Sequence, residues 1–490
     1  MDNKDKKKFA FDVGWVLAAS IITTGILLIR KAFLAQYLGP ENLGLFTMCL
    51  VIADIFCLFA GFGFEEAIVK YVAEFKENKE KIAQITSAAI LTMLFFGFLS
   101  SIFLFTLSDF LAKIFGMPSL TSLLRIFSIT FPFTLTITIA FGFFNGLREM
   151  NYFSYTVVSR TMLIFIAIVI FILMGWGVTG AITGYLIGEI TIAILLLFFI
   201  IRYINMTTVN YKSSIKKLVS FGGKILGANV IDRVNNQIDI LLIGFFLSAA
   251  DVGYYSVAAA LRRFIFIIPQ SLRKITYPAA SEFWARNQLE MLQKMIDKSM
   301  KYAACVLLPV GFGVGYFADS IITLAFGEKF ISAVLPFLVL LLGTMIMGVA
   351  VRPIGGILPA IGRPDLETKK VTVCTLFYVL LNIVLIPAFG ILGAAIAVTS
   401  SCALEATLHL YLTLKYTKIK IEFRWFGKIG LILLILILFS GSIRQFNYYL
   451  GSIVILAFPF LIWFYFLTDE DRKYFSDILD TIKLYIFPRP

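Results

Sequence analysis

The chain has 490 residues, of which 59% are hydrophobic and 15% charged, with 43 basic against 30 acidic residues and a formal net charge of +13. A soluble domain is about half apolar and about a quarter charged, so this composition, with a mean hydropathy of +0.90, excludes a water-solvated fold and makes lipid the main solvent. The five cysteines (Cys49, Cys57, Cys305, Cys374 and Cys402) sit in apolar runs without ligand spacing, which excludes a disulfide or metal framework, and the positive balance reads as membrane topology, not as nucleic-acid binding.

A bilayer core takes about 20 apolar residues per helical span. Runs of that kind fall near 13 to 37, 43 to 68, 83 to 107, 122 to 146, 152 to 174, 178 to 201, 219 to 247, 252 to 278, 299 to 318, 331 to 360, 368 to 388, 390 to 414, 426 to 442 and 449 to 467. This predicts an all-α, polytopic membrane protein of about fourteen transmembrane helices. The first run follows Lys4, Lys6, Lys7 and Lys8, is too long for a signal-peptide core and lacks a small-residue cleavage site, so it reads as an uncleaved helix. With a cytoplasmic N-terminus, the inside loops gather lysines and arginines such as Lys76, Lys81, Lys216, Lys298, Lys370 and Lys420. The outside loops then hold little beyond Lys113, Lys329 and Arg444, which is the positive-inside pattern. Both termini are then cytoplasmic, and the tail from Asp469 has the spacing of an amphipathic helix lying on the inner surface. All five tryptophans fall near span ends, where an amphipathic ring meets the headgroups.

The chain repeats internally. Leu38 to Phe46 (LGPENLGLF) recurs as Leu247 to Tyr255 (LSAADVGYY) at an offset of 209, Gly177 to Ile182 recurs as Gly390 to Ala395 at 213, and Arg148 matches Arg363 at 215. Six spans separate the copies, an even number, so the halves share one orientation and are related by an axis along the membrane normal. The expected organisation is an N-terminal six-helix lobe (1–203), a cytoplasmic linker (204–218), a C-terminal six-helix lobe (219–416), two additional transmembrane helices (417–468) and the cytoplasmic tail (469–490).

The turn LGPENLGLF, the second-helix ending GFGFEEAIVKY, the exits NGLREMNYF and AIGRPDLET and the closing GILGAAIA together resemble the Wzx-type polysaccharide and oligosaccharide flippases of the MATE/MOP exporter superfamily. The resemblance spans nearly the whole chain and rests on turns and glycines. It implies two six-helix lobes around a central cavity lined by helices 1, 2, 7 and 8, alternating access, and a substrate carried on a polyprenyl (di)phosphate.

Ionisable groups inside spans are costly, about 2.5 to 3.5 kcal/mol each on insertion scales, and usually face a cavity or a partner. The candidate cavity residues are Arg30, Asp54, Asn235, Asn236, Asp239, Arg262, Arg263 and Gln270, with Glu65 and Lys274 as candidate gates. Helix 7 aligns Asp232, Asn235, Asn236 and Asp239 on one face. At the 209-residue offset Arg30 corresponds to Asp239, Asp54 to Arg263 and Glu65 to Lys274, each pair opposite in sign, which suggests pairing across the lobe interface. Arg30 and Lys31 have a plain alternative, snorkelling to the headgroups. Arg160 and Arg352 read as packing braces or cavity groups, and Glu405 with His409, the single histidine, reads as a packing pair or a proton relay.

Three functions share such a profile. The first is a flippase moving a polyprenyl-linked oligosaccharide to the outer leaflet of the cell membrane, and the second a cation-coupled exporter of small organic compounds. The third, an oligosaccharide polymerase or glycosyltransferase, needs a sizeable outer loop, and the largest outer loops, near 108–121 and 317–330, are short. No phosphate-binding loop is present, since Gly222-Gly223-Lys224 lacks the spacing and the hydroxyl. The expected partners are the lipid-linked oligosaccharide, membrane lipids and glycan-assembly proteins; no cofactor, metal or nucleic acid is expected, the protomer is expected to act alone, and no enzymatic activity is expected.

Overall fold

The computed structural model describes residues 3–419, Gly427, Asp469 and Arg472, with side chains except at 3–11, 13, 268, 271, 272, 274 and 275. The spans expected near 426 to 442 and 449 to 467, and the amphipathic tail, lie outside the described residues.

Among the described residues every regular element is a helix. In chain order they are α1 (Asn3–Gly61), α2 (Phe64–Glu74), α3 (Lys79–Ile114), α4 (Leu120–Ser128), α5 (Phe131–Gly146), α6 (Met150–Leu173), α7 (Gly177–Tyr203) and α8 (Tyr211–Phe246). There follow α9 (Ala249–Ala285), α10 (Leu289–Tyr316), α11 (Ala318–Phe326), a 3-10 turn (Glu328–Ala333), α12 (Val334–Ala350), α13 (Ile357–Ala360) and α14 (Pro364–Thr417). Six described helices are long and apolar enough to cross a membrane, and eight if two bent pairs, α4 with α5 (51°) and α10 with α11 (67°), each count as one span.

The difference from the sequence count has local causes. α1 and α14 are each two helices joined at a glycine with positive φ, Gly39 (φ 73°, ψ 179°) and Gly390 (φ 60°, ψ −142°), backbone states that side chains resist. Pro40, directly after the first, has no N–H to continue the incoming helix and starts the outgoing one. α8 and α9, at 36 and 37 residues, have the length but also the charges, among them Asp232, Arg233, Asp239, Arg262 and Arg263, that lower their hydropathy. The segment expected as a linker is already helical from Tyr211.

The chain divides into two compact units. One comprises residues up to Phe264 with Ile322–Leu340 and Thr372–Ser401; the other comprises Ile265–Ile321, Leu341–Val371 and the described residues from Cys402 onward.

In the first unit the repeat is visible as a reciprocal contact. A Cβ on Gly44 would lie 1.7 Å from the Ala249 carbonyl oxygen, and a Cβ on Gly253 would lie 2.0 Å from the Pro40 carbonyl oxygen. Gly253 is Gly44 plus 209 and Ala249 is Pro40 plus 209, so one contact occurs twice about a two-fold axis. Only hydrogen fits at either glycine, so the beginnings of α9 and of the second half of α1 meet backbone to backbone. The start of α9 is fixed locally: Asp251 accepts from the Ser248 backbone N–H (3.1 Å) and hydroxyl (2.6 Å), while Ser248 Oγ accepts from the Asp251 N–H (3.3 Å), a reciprocal cap.

A second glycine device positions a buried charge. Gly180, Gly184 and Gly188 form a stripe along α7, and Cβ atoms at 184 and 188 would lie 2.6 and 2.7 Å from the Cα atoms of Ile168 and Ile164. The stripe brings α6 and α7 close, as small residues do between membrane helices that have little hydrophobic drive to associate. Glu189 follows the last of these glycines and faces Arg160 of α6.

The second unit has its own apolar core of Ala280, Leu292, Ile296, Met300, Ile354, Ile357 and Ile419, with Leu410 and Leu414 packed against it. Lys370 and His409, both without side-chain exposure, sit in this unit.

Candidate functional site

Within the first unit, α1, α8 and α9 enclose a cavity of about 220 Å³. Its lining includes Leu28, Lys31, Thr47, Leu50, Val51 and Asp54 from α1, and Gln237, Ile240, Ser256, Ala259, Ala260 and Arg263 from α8 and α9. Each residue of the second group is its partner in the first plus 209, so the cavity lies on the two-fold axis of the repeat. Thr24, Leu27, Arg30, Leu34 and Phe46 complete it.

The charge balance of this lining is positive: Arg30, Lys31 and Arg263 against Asp54 alone. The carboxylate is also already engaged. Its Oδ2 accepts from Gln237 Nε2 at 2.6 Å and from Arg233 Nη1 at 3.1 Å. Lys31 donates to Thr47 Oγ1 at 3.0 Å, joining the two halves of α1. Arg263 Nη2 donates to the Asn236 carbonyl at 3.1 Å, which leaves most of its guanidinium donors unspent. Arg30 makes no hydrogen bond or ion pair among the described residues, so its guanidinium borders the open volume with its five donors unspent.

The structure therefore brings Arg30, Asp54 and Arg263 into one cavity while giving the acids partners other than those the opposite-sign pairs suggest. Asp54 is bound by Arg233 and Gln237. Asp239 is buried, takes the Tyr255 hydroxyl at 2.6 Å, and accepts from the Ile240 N–H at 2.9 Å. Asn235 accepts from Thr375 Oγ1 at 3.0 Å and Asn236 donates to the Asp232 carbonyl at 2.7 Å. Of the 232, 235, 236, 239 face of α8, Asp239 is buried with partners in its own half of the chain, while Asp232, Asn235 and Asn236 are exposed. Its cavity lining is Gln237 and Ile240, with Arg233, one turn before Gln237, bound to the lining residue Asp54.

Arg262 is half-buried on α9, and Gln270 is exposed in the second unit. Glu65 is exposed, its neighbour Glu66 accepts from Asn229 at 2.9 Å, and the Lys274 side chain lies outside the described residues.

Sequence reasoning passed over Arg233, Gln237 and Glu189. A helix carrying Asp232, Arg233, Asn235, Asn236, Gln237 and Asp239 has polar residues on most of its circumference, so spacing alone does not choose the cavity face. The 209 offset does not choose it either: Arg233 and Gln237 map onto Thr24 and Leu28, but Asn236 and Asp239 map onto Leu27 and Arg30, and all four line the cavity. Arg160 donates from Nε (3.2 Å) and Nη2 (2.5 Å) to Oε1 of Glu189, a carboxylate without side-chain exposure. This makes Arg160 a brace between α6 and α7. Glu405 and His409 are both reached by Lys370.

Known proteins resemble this chain over much of its length. The family described as "Polysaccharide biosynthesis protein" matches residues 33–335, which include the second half of α1, α8 and α9. A protein named probable low-salt glycan biosynthesis flippase Agl15 of Haloferax volcanii is 28% identical over 189 residues, covering 39% of this chain and 40% of that one. A putative O-antigen transporter of Shigella flexneri is 21% identical over 405 residues, covering 81% of this chain and 96% of the relative. Among solved structures, the lipid II flippase MurJ in an inward closed conformation superimposes with a TM-score of 0.73 at 17% identity, over 95% of this chain and 99% of that one, a likeness of fold.

Proposed function

The chain belongs to the polysaccharide biosynthesis protein family, and on that premise we propose that it is a flippase that carries a polyprenyl-(di)phosphate-linked oligosaccharide from the cytoplasmic to the outer leaflet of the cell membrane. The observation that carries this reading is the cavity on the repeat axis, where Arg30, Lys31 and Arg263 outnumber an already bound Asp54. A diphosphate is a compact dianion with several acceptor oxygens, and arginine's planar fork matches phosphate geometry. The relatives named for glycan flipping and O-antigen transport supply the cargo class.

In this reading the two repeats are six-helix lobes, residues 1–203 and 219–416, joined through 204–218 and followed by two further helices. The termini are cytoplasmic, so the Gly44–Ala249 and Gly253–Pro40 contacts close the cavity towards the outside. The headgroup enters from the cytoplasmic side, meets the three cations, and is released outward when the glycine contacts part, while the polyprenyl tail stays in lipid. The protein works by binding and reorientation, with no bond made or broken and no cofactor, and the protomer is sufficient.

The test is reconstitution of the full chain into vesicles with a fluorescent polyprenyl-diphosphate oligosaccharide in one leaflet and a membrane-impermeant quencher outside. Transfer between leaflets that depends on the protein and falls in Arg30→Gln and Arg263→Gln supports the reading. A chain that leaves the glycan lipid in place but expels organic cations would make it an exporter of small compounds.

A further inference from the structure

Four ionisable side chains meet in the second unit, away from the cavity. The Lys370 ammonium donates to His409 Nδ1 at 3.0 Å and to Glu367 Oε1 at 3.1 Å, and lies 3.5 Å from Glu405 Oε1. An ammonium has donors only, so His409 Nδ1 is an acceptor and its proton is on Nε2, which is 3.1 Å from the Ile354 carbonyl oxygen and donates to it. The geometry thus fixes one neutral tautomer.

A second arrangement is already prepared. Glu367 Oε2 is buried, makes no hydrogen bond, and lies 3.7 Å from His409 Nδ1. We propose that Lys370, Glu367, Glu405 and His409 form a one-proton binding site that couples transport to the proton gradient, an inference that rests on the flippase reading. When a hydronium ion delivers a proton to Nδ1, an N–H bond forms there and water is released, with Nε2–H retained. The imidazolium Nδ1–H donates to Glu367 Oε2, and the Lys370 ammonium, keeping its three protons, moves from Nδ1 to Glu405.

The formal charges of the cluster change from −1 to 0 in this step. Arg273 of α9 and Arg352 after α12 also act on the ring, and both oppose the added charge. The cluster is not sealed: Lys370 and His409 are wholly buried, whereas the Glu367 and Glu405 side chains keep 18% and 23% of their exposure. The mechanical link is the Ile354 carbonyl, held by the His409 ring, in the segment that joins α12 to α13.

The other repeat makes the assignment sharper. Arg160 and Glu189 occupy the corresponding fifth and sixth helices, at offsets of 210 and 216 from Lys370 and Glu405. An arginine does not give up its proton in proteins, so that pair is a fixed clamp. Lysine and histidine in the second copy can exchange partners and protons.

Because His409 is the only histidine, ¹⁵N-histidine labelling of the full chain in lipid nanodiscs gives a single pair of ring signals. The expected result is an Nε2–H neutral ring at neutral pH that gains a proton at Nδ1, with Nε2–H retained, as the pH is lowered. In vesicles, one proton per cycle makes a one-unit pH gradient worth up to about tenfold in accumulation of the glycan lipid. His409→Gln retains a donor and an acceptor but takes no proton, so its transport is the same with and without the gradient. A ring that stays neutral throughout, or a His409→Gln chain that responds to the gradient as the parent does, overturns the proposal. A parent chain that moves no glycan lipid at any pH refutes the flippase reading instead, and the ring titration still decides this one.

Discussion

Replacing Gly253 by alanine tests the closing contact directly. The new Cβ would start 2.0 Å from the Pro40 carbonyl oxygen, and Cβ atoms essentially never approach another heavy atom within 3.0 Å, so α9 and α1 must separate by at least about 1 Å. The obstacle is backbone, which has no rotamer to change. Overpacking of this kind costs about 1–3 kcal/mol. If the cost falls on only one of two interconverting states, the populations shift by about 5- to 150-fold towards the state with the contact parted. The assay uses a chain without its five cysteines and with Ser256→Cys, a buried cavity position, exposed to a membrane-impermeant maleimide from the outer side. Labelling should accelerate at least about fivefold on adding Gly253→Ala, and transport should slow. Gly44→Ala should do the same, because it is the other half of the reciprocal contact. Gly25→Ala, on α1 with nothing within 4 Å of its Cβ, should change neither. Unchanged labelling in both Gly44→Ala and Gly253→Ala would refute the claim that this contact closes the cavity.

Breaking the α6–α7 clamp with Arg160→Met leaves Glu189 buried and unpaired, and should cost about 3–5 kcal/mol, seen as a lower unfolding temperature in detergent; the double variant Arg160→Met, Glu189→Leu should recover most of it. Arg30→Gln removes charge-assisted hydrogen bonds worth about 1.5–3 kcal/mol, so half-saturation for a diphosphate-linked glycan should rise by about 10- to 150-fold, with little change for a neutral lipid analogue. Asp54→Asn frees Arg233 towards the cavity and should tighten headgroup binding while slowing release, measured as a lower half-saturation and a lower maximal rate. At Arg363–Asp365, the hydrogen bond from the guanidinium holds the Asp365 carboxyl below its usual range. A lowered folded-state pKa means that this contribution is present at neutral pH and is lost as the pH falls through the acidic range below about 4. The pair lies at the surface with each side chain about half exposed, so Asp365→Asn should leave the neutral-pH unfolding temperature unchanged within error.

The apolar runs announced the helices, and Gly39, Pro40 and Gly390 announced the breaks, because both depend on local chemistry: hydropathy over a span, a missing N–H, a positive φ. The repeat offset went further and carried the cavity's location, since residues that are equivalent in two like-oriented copies meet at the axis. Side-chain partners were less legible. Asp54 and Arg263 are repeat equivalents of opposite sign and do share the cavity, yet Asp54 binds Arg233, which lies on a different stripe of α8 from Asp232, Asn235, Asn236 and Asp239. Helical spacing says which residues share a face, but not towards which neighbour that face turns. Tyr255 and Thr375, whose hydroxyls take Asp239 and Asn235, are ordinary members of apolar runs, and the sequence gives them no mark. Glu189 was equally inconspicuous, a lone acid in α7 whose role follows only from the approach of Arg160.

The two copies differ where a transporter needs them to differ. The acids have near partners: Asp54 is held by Arg233 and Gln237 of the other copy, Asp239 takes the Tyr255 hydroxyl, and Glu189 is paired with Arg160. The cations at the axis, Arg30, Lys31 and Arg263, are not neutralised in the same way, so the positive field is concentrated where the two copies face each other. A site with that excess binds an anion well and would release it poorly unless the site itself comes apart. Placing the charges on both sides of the axis solves this, because parting the Gly44–Ala249 and Gly253–Pro40 contacts separates Arg30 and Lys31 from Arg263 and divides the attraction between two surfaces open to water. Arginines placed within one copy only would keep their grip in every conformation. In the proposed transport cycle, the distribution of cations across the repeat is the feature through which opening also becomes release.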